Sequence, residues 1–169
     1  MEQTLLAFSQ ATGIYGFMNS PWGWPVIESL HFIGLSLLLG TVGLFDLRVL
    51  GLAPVLPLPA LHRLIPFGVG GFVLNVLTGI MFVTSVPDQY LYNPAFQSKL
   101  LSMALAGLNM LLFYSSSFRA VMQPSPSAQA LRTARVFAAI SLLCWAGVIT
   151  GGRLITFFRP PFYWCFWCG

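Results

Sequence analysis

A chain of 169 residues, 57% hydrophobic and only 7% charged with a net charge of +4, excludes a soluble globular surface, because soluble domains carry about 25% charged residues. Disorder is excluded by the same apolar richness, and a mean hydropathy of +0.80 places the chain in a bilayer. The positive balance then reports orientation in the membrane and not a nucleic-acid footprint.

In chain order, residues 2–19 set Leu5, Leu6, Phe8, Ile14, Tyr15 and Phe17 among polar positions and glycines. That pattern predicts a short amphipathic helix lying at the interface before Trp22 and Trp24. With Glu2 and Gln3 in place of a basic start, it does not read as a cleavable signal. A first span is expected over 25–47, apolar except for Glu28, His31 and Asp46, and a short rigid turn follows at Pro54, Pro57 and Pro59. The second span is expected over 61–85, followed by a loop holding Pro87 and Asp88. The third covers 95–117. A long polar connection through Pro124, Ser125, Pro126 and Ser127 then leads to the fourth, 136–158, closed by Pro160 and Pro161. At 1.5 Å per residue each segment covers roughly the hydrocarbon thickness. Only helices satisfy that much backbone in lipid, so the expected fold is all-α, a four-transmembrane-helix bundle forming one integral membrane domain.

Arg48 and Arg63 flank the first connection and Arg119, Arg132 and Arg135 the third, against Lys99, Arg153 and Arg159 towards the opposite side. This bias predicts cytoplasmic first and third connections and both termini outside. Trp22, Trp24, Tyr90, Tyr92, Tyr163, Trp164 and Trp167 then form an outer aromatic belt. Gly40, Gly43, Gly71, Gly79, Ala104, Ala106 and Gly107 are expected to allow close helix approach, and Asn75 and Asn109 to hydrogen-bond across helices.

Ionisable residues inside spans are the candidates for function, because each costs at least ~2.5 kcal/mol at the bilayer centre. Glu28 and His31 share one helix face, Lys99 opens the third span at similar depth, and Arg153 lies near the outer end of the fourth. Two readings stand side by side. In one, Glu28 pairs with Arg153 or Lys99, Lys99 snorkels, and His31 bonds a carbonyl. In the other, His31 is an axial ligand for haem iron, tuned or oriented by Glu28, Lys99 completes the pair, and Arg153 and Arg159 meet the propionates. Gly34 and Ser36, one turn on, would then make room for the flat ring. A carboxylate-bridged metal site built from Glu28 and His31 would need a second copy of the motif. Asp46, Arg48, His62 and Arg63 are expected at the inner water boundary, too far from His31 for His62 to share its iron. Cys165 and Cys168 read as a disulfide-closed or frayed tail before a redox site, and Cys144 as core packing.

The run Trp24-Pro25, Glu28, His31, Gly34, Gly40, Asp46-Leu47-Arg48 and Gly51, then Phe96-Gln97-Ser98-Lys99 and Asn109, resembles a group of uncharacterised four-helix bacterial inner-membrane proteins over residues 3–161. More distantly the layout is similar to HemJ-type protoporphyrinogen oxidases and to copper-resistance D-type membrane domains. The HemJ resemblance implies haem b held by His31 and Lys99. The residues after the histidine helix differ, and Gly40-Thr41-Val42-Gly43 replaces a bulkier segment, which sets oxidase activity aside. The expectation is a small b-type haem protein of the bacterial inner membrane, transferring electrons with a quinone or a periplasmic donor. An accessory subunit of a larger respiratory or photosynthetic complex is the alternative, with self-association open. Copper handling comes third, since Met81, Met103 and Met110 are scattered.

Overall fold

The computed structural model describes residues 1–123 and 125–158. The interfacial helix expected over 2–19 is two pieces, α1 (Glu2–Ala11) and α2 (Ile14–Met18). They break at Gly13, whose φ of 76° is left-handed and open to glycine because it lacks a Cβ. The first span is α3 (Gly23–Leu38), a π turn (Leu39–Gly43) and α4 (Leu44–Leu50). The short α5 (Leu58–His62) precedes α6 (Ile65–Ser85), and α7 (Pro87–Leu91) leads into α8 (Pro94–Ser116). Finally α9 (Phe118–Val121) precedes α10 (Ala128–Leu154), which tightens into a 3₁₀ turn at Ile155–Phe157.

Gly23–Leu50, Leu58–Ser85, Pro94–Ser116 and Ala128–Phe157 are each long and apolar enough to cross a bilayer. Leu77, Leu101, Leu111 and Leu143 stand exposed on their outer faces, as contact with lipid requires. The chain is a multi-pass, all-α membrane protein. Its fourth span starts at Ala128, not Val136. The Ser127 hydroxyl accepts the Ala130 N–H, and this cap followed by the helix formers Ala128, Gln129, Ala130 and Leu131 outweighs their polarity. Arg132 and Arg135 therefore ride on a helix, not in a loop.

The bundle consists of two helix pairs, α3 on α6 and α8 on α10, joined chiefly by α4 against α10. The π turn sits where the first span changes partner, since an extra residue in one turn rotates everything after it. α3 meets α6 backbone to backbone: a Cβ on Gly34 would lie 2.8 Å from the Gly71 carbonyl oxygen, and one on Gly71 2.5 Å from that of Gly34. Gly40, Gly43, Gly79 and Gly107 have open space at that position, so the close approach expected of them falls to other glycines. Asn109 crosses to the Phe137 carbonyl at 3.0 Å as expected. Asn75 does not, because its Nδ2 turns back to the Gly71 carbonyl of its own helix at 2.9 Å.

Two buried clusters close the ends. Phe45, Val49, Leu61, Phe113, Val121, Ala134 and Ala138 pack at the Arg48 end. At the opposite end, Tyr90, Ala95, Ile155 and Phe158 pack with Phe82, Val83 and Phe96. Asn93, fully buried, ties that end together. Its Oδ1 caps α8 by accepting from Ala95 N and Phe96 N, while its Nδ2 donates to the carbonyls of Ile155 at 2.9 Å and Phe158 at 3.2 Å. Of the expected aromatic belt, Trp22 and Tyr92 are exposed but Tyr90 is buried in this cluster. Tyr163, Trp164 and Trp167, like Cys165 and Cys168, lie outside the described residues.

Candidate functional site

His31 projects from α3 onto α6 and is half-buried. Its Nδ1 lies 2.7 Å from the Thr78 Oγ1, and the same hydroxyl is 2.8 Å from the Leu74 carbonyl one turn back. A hydroxyl has one proton and two lone pairs. Given to the Leu74 carbonyl, that proton leaves Thr78 to accept from the imidazole. The ring is then protonated at Nδ1 and keeps the lone pair at Nε2. Phe82 fixes the ring plane by an edge contact, centroids 5.7 Å apart, and Trp24 stacks on Phe82 at 5.0 Å. The partner that orients His31 is thus Thr78 and not Glu28, which is exposed.

Lys99 belongs to the other helix pair. It is half-buried, and its stem runs along Gly151 and Gly152 of α10. A Cβ on Gly151 would press on the Lys99 Cβ at 3.1 Å, and one on Gly152 would stand 3.7 Å from Nζ. Arg153 is exposed, and no ion pair links it to Glu28. Of the four ionisable groups expected to converge, His31 packs on α6 and Lys99 on α10, and no hydrogen bond or ion pair joins any two of the four. Arg159 lies outside the described residues.

The space assigned to a flat ring beside Gly34 and Ser36 is filled. Gly34 is pressed against Asn75 and Gly71, and Ser36 faces outwards. Among the described residues no group of three or more His, Cys, Asp or Glu side chains is gathered as for a metal ion.

A second constellation lies nearer the Arg48 end, where the sequence suggested only a water boundary. Asp46 is 6% exposed and faces the bundle, lining one cavity with Ser141 of α10. Its Oδ2 has no hydrogen-bond partner among the described residues. All four spans contribute to this cavity of about 180 Å³, with Phe72 of α6, Met103, Asn109 and Phe113 of α8, and Trp145 of α10 among its walls. His62, also expected at the boundary, is half-buried. Its Nε2 is 3.1 Å from the Tyr114 hydroxyl, and its ring packs on Phe118 at 4.7 Å. One signal could have exposed Asp46. Leu38, Val42 and Val49 stand on the same helical stripe, so the aspartate continues an inward face.

Comparison of the chain with protein-family models, with curated proteins and with solved structures returns no match.

Proposed function

We propose that the protein is a small b-type haem protein of the bacterial inner membrane, both termini periplasmic, with His31 as an axial ligand and a role in electron transfer. The observation that carries this reading is the tether on Nδ1. Histidines that ligate metals have their other ring nitrogen held by a hydrogen bond, which fixes both tautomer and ring orientation. In His31 that bond leaves Nε2 as the donor atom.

Lys99, a nitrogen base carried by the other helix pair, would be the second ligand when deprotonated. The donor chemistry fits haem b, which supplies one-electron chemistry at its iron. The Gly34 face is closed by α6, so a ring held by His31 would lie on another side of the imidazole. Arg153 at the exposed end of α10 is the described cation available to a propionate. A quinone or a periplasmic protein is the proposed electron partner. The arginine bias between the ends supports the orientation.

The test is an absorption spectrum of protein purified after expression with added haem precursor. A Soret band in wild type that disappears in His31→Ala is the expected result. A colourless wild-type preparation overturns the reading, and if it co-purifies with a stoichiometric partner the chain is an accessory subunit instead.

A further inference from the structure

The cavity around Asp46 is separate from the His31 site and chemically unlike it. Its walls are apolar and aromatic apart from a few polar groups, and among the described residues no lysine or arginine lines it. Among the polar groups, Asn109 donates to the Phe137 carbonyl and the Tyr114 hydroxyl meets the His62 Nε2. The Asp46 Oδ2 is buried without a hydrogen-bond partner among the described residues. An oxygen left so is destabilising against a satisfied one, and structures keep such a group where something else completes it.

Shape and access narrow what that is. A cavity near 150 Å³ lined by hydrocarbon accommodates one benzene ring, and this one measures about 180 Å³. Val69 of α6 and Met110 of α8 line it while standing about half exposed on the outside of the bundle. These two helices belong to different pairs, so the cavity opens sideways between α6 and α8 into the hydrocarbon. A ligand arriving that way is uncharged and soluble in lipid. With no cation in the wall, a carboxylate or phosphate has no partner there, whereas a hydroxyl proton does.

We infer that this cavity is a binding site for a single, uncharged aromatic ring carrying a hydroxyl group, which enters from the bilayer and donates its hydrogen bond to the Asp46 Oδ2. Rings of this kind pack against Phe72, Phe113 and Trp145 and give the carboxyl oxygen the donor it lacks.

The probes are 4-fluorophenol and 4-fluorotoluene, near in size and differing in the donor. Binding is read by fluorine NMR on the full chain in nanodiscs, with empty nanodiscs as the partition baseline. The expected result is saturable binding of the phenol, about tenfold tighter than the toluene, as one hydrogen bond to a carboxyl group warrants. Asp46→Leu should reduce this preference to less than about twofold while keeping toluene binding, and Ala106→Phe, which fills the cavity, should abolish both. Equal affinities in wild type, no saturable binding above the nanodisc baseline, or a preference that survives Asp46→Leu would each overturn the inference. The wild-type comparison decides alone should neither variant fold.

Discussion

Thr78 holds the His31 ring across the α3–α6 interface, Oγ1 to Nδ1 at 2.7 Å, while its own proton is available to the Leu74 carbonyl at 2.8 Å. Thr78 thereby sets the tautomer, and with the Phe82 edge contact it fixes the ring. Thr78→Val keeps the shape and removes the tether. Haem affinity should fall by about 10–100-fold, the usual loss for such a partner, with the Soret band retained at high haem. Thr78→Ser should restore most of it. Titration of apoprotein with haem measures both.

The α3–α6 contact gives a stability prediction with an internal control. Gly34→Val drives new carbons into the Gly71 carbonyl and the Asn75 amide and should cost about 2 kcal/mol or more. Gly79→Ala meets open space and should change stability by less than about 0.5 kcal/mol. Thermal melts of the two variants in one detergent check the contrast.

Asn93 fastens the start of α8 to the end of α10 through a cap and two donated bonds. Asn93→Ala loses all of them and should cost about 2–4 kcal/mol. Asn93→Asp retains the cap oxygen but has no donors for Ile155 and Phe158, so its loss should be substantial too. Faster proteolysis after Phe157 in Asn93→Ala would show that the α10 end has come loose.

Orientation has a direct readout. In a variant freed of Cys144, Cys165 and Cys168, a cysteine at Val55, which is 91% exposed, should react with a membrane-impermeant maleimide only in inverted vesicles. A cysteine at Tyr92, 53% exposed, should react only in right-side-out vesicles. The reverse pattern would invert the proposed topology.

At the Arg48 end, Tyr114→Phe removes the hydroxyl that meets the His62 Nε2 at 3.1 Å. Both groups are partly exposed, so the loss should be modest, about 0.5–1.5 kcal/mol. Thermal denaturation beside His62→Phe, which keeps the ring stack on Phe118, measures it.

The sequence by itself determined the solvent, the fold class and the four spanning segments, because lipid forces every backbone group into helical bonds and leaves hydropathy and prolines to mark the ends. It also singled out His31 and Lys99, since nitrogen bases inside apolar runs are conspicuous one residue at a time. It did not show that Thr78 rather than Glu28 meets His31, that Gly34 is closed by Asn75 and Gly71, or that Asp46 turns inwards onto a cavity. Those depend on which helix lies beside which. With lipid outside every span as apolar as the core, hydrophobic patterning barely separates inward from outward faces. Backbone contact at Gly34 and Gly71, the π turn at Leu39–Gly43 and the pairing of α4 with α10 made that choice.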